Sequence, residues 1–126
     1  MSDEVDRYRN LVNLLYNKSI SKSLDWKNSP WTNRLSVNIG NYRVEIDTGE
    51  ESDGTPVEII YILNASNQIV DSFNDNELSG EETGVDGYDN YWLLMKRIHH
   101  LAHRKSKKSD EAIENILRNL NNDQDF

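Results

Sequence analysis

Val57-Glu58-Ile59-Ile60-Tyr61-Ile62-Leu63 is the densest apolar run in a polar chain, and its reading decides the fold. Pro56 precedes it and Asn64 ends it. A run this short, rich in β-branched and aromatic residues, reads as a buried strand and not as a helix. Val57, Ile59, Tyr61 and Leu63 fall on one face, Ile60 and Ile62 on the other. A strand that is apolar on both faces is an inner strand, or part of a strongly curved sheet. With helices on the first face, Ile60 and Ile62 need a second cover. That cover is a curled sheet, the connector that carries Trp26 and Trp31, or a second subunit, which makes a homodimer one expected arrangement.

Two alternating runs lie upstream, Leu35-Ser36-Val37-Asn38-Ile39 and Tyr42-Arg43-Val44-Glu45-Ile46-Asp47, joined by Gly40-Asn41. A two-residue step containing Gly between alternating runs is a hairpin signal. The alternation assigns Leu35, Val37, Ile39, Tyr42, Val44 and Ile46 to the buried face and turns Arg43, Glu45 and Asp47 to water. Downstream, Asn64-Ala65-Ser66-Asn67 is a turn and Gln68 to Phe73 a fourth strand.

Helical periodicity brackets this meander. From about Asp3 to Ile20, apolar Val5, Tyr8, Leu11, Val12, Leu15 and Tyr16 recur at three- and four-residue spacing. A second helix runs from Tyr88 or Asp89 to about Lys107 on the stripe Tyr91, Leu94, Met95, Ile98, Leu101 and Ala102. Ser109-Asp110 then caps a third, with Ala112, Ile113, Ile116, Leu117 and Leu120. The expected fold is α+β: an N-terminal helix, a four-stranded antiparallel meander over about 35–73, and two C-terminal helices packed on the sheet. With 126 residues the chain forms one domain, residues 121–126 being a frayed tail.

Composition excludes several chemistries. There is no cysteine, hence no disulfide, thiolate metal site or cysteine nucleophile. No apolar stretch reaches the ~20 residues that span a membrane. Met1-Ser2-Asp3-Glu4 lacks the basic and apolar regions of a signal peptide, so a cytoplasmic protein is expected. No Gly-rich phosphate loop, nucleophile elbow or spaced triad is present, which points away from an enzyme. Net charge is −8 and unevenly spread: Val44 to Met95 holds thirteen Asp and Glu and no Lys or Arg. Lys96 to Lys108 holds six Lys and Arg and three His without an acid.

Four candidate sites follow. His99 and His103 are four apart on a helix, as zinc-binding pairs are, but His100 stands where the metalloprotease pattern has its Glu. Asp75, Glu77, Ser79 and Asp86 occupy positions one, three, five and twelve of a calcium-loop pattern with Gly80 at six. A strand precedes that loop, and Asp86 is shorter than the usual Glu; a solvated acidic loop explains it more simply. The basic run from Lys96 to Lys108 could meet nucleic acid, although cations ending a helix complement its C-terminus and nearby acids. Finally the acidic loops, Glu50, Glu51 and Asp53 with Glu81 and Glu82, present a surface for a basic protein partner, or serve solubility alone. Trp26 and Trp31, in a polar connector, are either a lid on the core or anchors for that partner.

Taken together, Leu24-Asp25-Trp26, the hairpin Leu35-Ser36-Val37 with Tyr42-Arg43-Val44-Glu45-Ile46, Ile69-Val70-Asp71-Ser72-Phe73, Leu101-Ala102-His103-Arg104-Lys105 and Ala112-Ile113-Glu114-Asn115-Ile116-Leu117 resemble a group of short bacterial proteins with no assigned activity. The resemblance implies a bacterial α+β domain and carries over no site residue or cofactor. That group often has a Gly between its last two helices, where this chain has Lys107-Lys108-Ser109. The functional expectation is therefore a non-enzymatic, acidic cytoplasmic protein that binds another protein, of the kind used in phage, defence or immunity settings. Metal binding and nucleic-acid binding are the alternatives, and no cofactor is expected.

Overall fold

The computed structural model describes residues 3–29, 32 and 34–122. Its elements in order are α1 (Asp3–Ile20), β1 (Lys27–Asn28), β2 (Leu35–Ile39), β3 (Tyr42–Glu50), β4 (Pro56–Leu63), β5 (Ile69–Asn74), a 3₁₀ turn (Asp75–Leu78), α2 (Tyr91–Ser106) and α3 (Ser109–Asn122). The five strands form one antiparallel sheet in sequence order, so the α+β meander stands with one strand more than expected. The extra strand, β1, is a two-residue pairing of Lys27 with Ser36 and Asn28 with Leu35. Within the tail region, Asn121 and Asn122 belong to α3, and residues 123–126 lie outside the described residues, as does Trp31.

Register fixes which face is buried. Leu35, Ile46, Ile60 and Phe73 are successive cross-strand partners, and all four belong to the core that α1 and α2 cover. Alpha-helical residues Tyr8, Val12, Leu15 and Tyr16 meet them from α1, and Leu94, Met95, Ile98 and Ala102 from α2. The Tyr8 and Phe73 rings stack at 4.2 Å between centroids. The helices therefore cover the Ile60 side of β4, not the side of Val57, Ile59, Tyr61 and Leu63. The tighter anchor is the Leu35–Ile46–Ile60–Phe73 row, which no single strand reveals.

The opposite face is closed by charge. Glu45, expected in water, is 0% exposed. It pairs across the sheet with Tyr61, and its carboxylate accepts from Arg34 Nη1 at 3.3 Å, Arg43 Nε at 3.0 Å and Thr32 Oγ1 at 3.1 Å. The Arg34 guanidinium also lies 3.8 Å above the Tyr61 ring. Two arginine stems thus cover the second side of the strand, as long cationic side chains do. At the far end of the hairpin Ile39 and Tyr42 are 40% and 53% exposed instead of buried, because they lie beyond the reach of the helices.

Helix ends follow local chemistry. α1 stops where Lys22 takes a left-handed φ of +61°, with Ser23 N–H bonded to Lys18 O (2.9 Å) and Lys22 N–H to Ser19 O (3.1 Å), a Schellman closure. Asn90 caps α2 by accepting from Leu93 N–H at 2.9 Å. Between α2 and α3 Lys108 adopts φ +54°, the backbone state that a Gly takes most easily. The connector tryptophan Trp26 is 1% exposed and donates through Nε1 to Ser19 Oγ at 3.0 Å, so it is part of the core and not an anchor for a partner. α3 differs from the other helices: its apolar stripe faces solvent, and among the described residues none of α3 is buried.

Candidate functional site

The carboxylate inside the apolar run, Glu58, has to find partners because an unpaired buried charge is costly. Thr48 is its register partner on β3 and donates to Glu58 Oε2 at 2.6 Å. His99, on the face of α2 that meets the sheet, sets Nδ1 2.7 Å from Glu58 Oε1. An ionised carboxylate only accepts, so Nδ1 donates and Nε2 is left for the surroundings. The Glu58 backbone N–H is held in turn by Asp75 Oδ1 at 2.8 Å.

This cluster floors a cleft of about 380 Å³ in which Lys96, His100 and His103 of α2 face Thr48 and Pro56. Trp92 forms its wall, with Lys96 Nζ 4.6 Å from the ring centroid. Trp92 also lines a cavity of about 480 Å³ together with Asp75, Glu81, Glu82 and Asp89. One residue therefore borders both a cleft with basic lining and one with acidic lining. Its Nε1 is buried without a hydrogen-bond partner.

What the cleft can do follows from the atoms. Thr48 is its hydroxyl, but that hydroxyl is spent on Glu58 and approaches His99 at Nδ1 (3.3 Å), the nitrogen already engaged. A nucleophile–base–acid relay needs the hydroxyl on the far nitrogen. The arrangement ties α2 to the paired strands β3 and β4 and leaves His99 in a cleft that Lys96 and His103 also line. His99 and His103 do line one cleft, but among the described residues no group of three or more His, Asp or Glu is placed to hold a metal ion.

The calcium-loop pattern comes apart in three dimensions. Asp75 turns inward to Glu58 N–H; burial first, then the charges of Glu58 and Glu51, push its carboxyl above the usual range, against its backbone hydrogen bonds. Glu77 sits near Asp71 and Glu4 instead, its carboxyl raised by burial and by those two charges. Ser79 donates to Asn76 O at 2.8 Å, and Asp86 is exposed. Asp75, Glu77 and Ser79 point to different neighbours at and just after a 3₁₀ turn that Asn74 caps, accepting from Glu77 N–H at 3.2 Å.

The acidic loops, by contrast, converge. Asn76 Nδ2 donates to Glu51 Oε1, tying the β3–β4 loop with Glu50, Glu51 and Asp53 to the loop after β5. Thr55 hydrogen bonds hold Asp53 below its usual range and so keep it charged. Farther along, Tyr8 Oη donates to Glu4 Oε1 (2.7 Å) and Asp71 Oδ2 (2.8 Å). Burial and those two carboxylates push the phenol well above its ordinary range. Arg9 answers part of this charge by pairing with Asp6 (3.2 Å) and Glu81 (3.3 Å), while Glu82 stays exposed.

Of the basic run, Arg104 pairs with Asp110 at 2.6 Å and Lys96 lies on Trp92, which leaves Lys105, Lys107 and Lys108 exposed. Sequence reasoning missed Glu58, Thr48 and Glu45. The signal available was a carboxylate inside an apolar or alternating run, which needs a partner wherever it is buried. Comparison of the chain with protein-family models, with curated proteins and with solved structures finds no match, so function has to be argued from this geometry.

Proposed function

We propose that the chain is a non-enzymatic cytoplasmic protein that binds a basic surface on another protein through its converged acidic loops. The observation that carries this reading is the bond from Asn76 to Glu51, which gathers Glu50, Glu51 and Asp53 with the loop that bears Glu81 and Glu82. Crowding like charges works against the fold; at Asp75, burial first and then the charges of Glu58 and Glu51 raise the carboxyl. A cationic partner would offset it, and would be steered to the face at low ionic strength.

Capture from a host extract at low salt, with wild type beside a Glu50→Gln, Glu51→Gln, Glu81→Gln, Glu82→Gln variant, tests the reading. It expects a basic protein that wild type retains, that salt releases and that the neutralised variant fails to hold. If every retained protein binds both forms equally, the acidic face serves solubility and the proposal is wrong.

A further inference from the structure

Where the end of α1 meets the last turns of α2 and the first turn of α3, the chain encloses a cavity of about 270 Å³. Its floor is apolar: buried Trp26, with Leu24, Leu101 and the half-exposed Ile20. Its rim carries four cations, Lys22, Arg97, Arg104 and Lys105, against the single acid Asp110, in a chain whose net charge is −8. A concave surface that joins an apolar lining to a few charged groups is the usual form of a small-molecule site.

Pairing within the chain removes part of that charge and leaves a specific remainder. Asp110 takes Arg104 at 2.6 Å and Lys22 at 3.0 Å. Arg97 is half-buried, yet among the described residues its guanidinium makes no ion pair and no hydrogen bond. Donors withdrawn from water without an acceptor are costly to the fold. Complementing the C-terminus of α2 accounts for Arg104 and Lys105, which lie in its last turn. It does not account for Arg97, which stands in the middle of that helix.

We propose that this cavity binds a small amphipathic carboxylate, its head on Arg97 and its apolar body over Leu101, Leu24 and Ile20. The planar fork of a guanidinium matches a carboxylate through two parallel, charge-assisted hydrogen bonds. Arg97 and Leu101 are four apart on α2, so the head site and the body site are neighbours on one helix face. Lys105, one turn farther on, adds attraction for an anion. The volume lies just below the ~300 Å³ at which drug-sized sites begin, so the ligand has a body of only a few carbons. For so small a ligand the affinity is in the millimolar range.

Hexanoate is the probe, with hexanol as its uncharged counterpart and inorganic phosphate as an anion without an apolar body. Ser19 and Trp26 line the cavity and share the bond from Trp26 Nε1 to Ser19 Oγ, so the assigned Trp26 indole N–H signal reports on occupancy. Titration of the full chain, followed by that signal and by the Leu101 methyls in NMR spectra, expects saturable shifts with hexanoate. Hexanol should bind at least about tenfold more weakly, and phosphate should leave the Leu101 methyls unmoved. Arg97→Gln should weaken hexanoate at least about fivefold and leave hexanol as it is, while Arg97→Lys keeps the charge without the fork and falls between. The remaining signals of each variant, unchanged, show that its fold is intact. No saturable shift with hexanoate overturns the proposal. So does equal binding of hexanol, which would make the cavity an apolar crevice only, or phosphate moving the same signals, which would make it a charged patch only. Hexanoate binding that Arg97→Gln leaves unchanged overturns it too. Glu50, Glu51, Asp53, Glu81 and Glu82 do not line this cavity, so none of these outcomes depends on the acidic face.

Discussion

Glu45 tests how the second face of the sheet is held. Its carboxylate is fully covered and accepts three hydrogen bonds, from Thr32, Arg34 and Arg43, while both arginines keep about a fifth of their side-chain surface in solvent. Glu45→Ala removes the charge that neutralises two guanidiniums and strands their donors. Breaking a buried ion pair from one side costs about 3–5 kcal/mol, and the arginines' residual access to water places this case near the lower end, about 3 kcal/mol. Glu45→Gln keeps the shape and one carbonyl but turns an amide N–H₂ toward a donor, so the loss of a charge-assisted bond should cost about 1.5–3 kcal/mol.

Urea denaturation followed by tryptophan fluorescence, to which buried Trp26 contributes, measures both. With a slope of about 1–3 kcal/mol/M, the alanine variant's midpoint should fall by at least about 1 M, and the glutamine variant's by less. The decisive comparison repeats Glu45→Ala in a background lacking both guanidiniums, Arg34→Ala with Arg43→Ala. There the substitution strands no charge, and its cost should drop by more than half, a coupling visible in a double-mutant cycle. A loss below about 1 kcal/mol in the wild-type background, or an equal loss in both backgrounds, would refute the pairing account. The face would then be held by stem packing alone.

Three further outcomes follow from local geometry. In Asp75→Asn the amide oxygen still accepts from Glu58 N–H, but the charge is gone. A carboxyl whose folded value is raised binds its proton more tightly folded than unfolded, so wild-type stability falls as pH rises through the window from the ordinary value of 3.8 up to the raised one. The variant should therefore be the more stable at neutral pH, by a margin that closes as pH is lowered through that window; paired melts at several pH values decide it, and a constant margin would exclude the charge as cause. Lys108→Gly removes a β-carbon from a left-handed position and should stabilise the α2–α3 junction by up to about 1 kcal/mol, whereas Lys108→Ala should leave the helix melt unchanged. Ser19→Ala leaves the buried Trp26 Nε1 without its acceptor and should cost about 1–3 kcal/mol in denaturant unfolding.

Much of the fold was legible because its signals are local. Alternation over residues 35–46, the Gly40-Asn41 step with Gly40 at φ +61°, and the helical stripes all report on neighbours in sequence. Features that depend on distant partners were not. Lys27-Asn28 has no strand composition and pairs only because β2 presents a free edge. Alternation tells which residues share a face, not how far the helices extend over it, hence the misplacement of Ile39 and Tyr42. Glu45 breaks the pattern outright, since its burial depends on Arg34 and Arg43 folding over it.

The candidate site was less legible, for a physical reason that also bears on α3. His99 was visible as half of a histidine pair, but its partner is Glu58, forty-one residues earlier on a strand that looks purely structural. Periodicity identifies an amphipathic helix without saying whether its stripe meets the same chain or another. α2 and α3 carry similar stripes; α2 is longer, and capped by Asn90 where the 3₁₀ turn and the acidic loop deliver it onto the sheet. α3 starts after a left-handed Lys108 at the end of α2, tethered by Asp110 to Arg104 and Lys22 at its first turn. The sheet side already filled by α1 and α2 leaves it no apolar surface to cover.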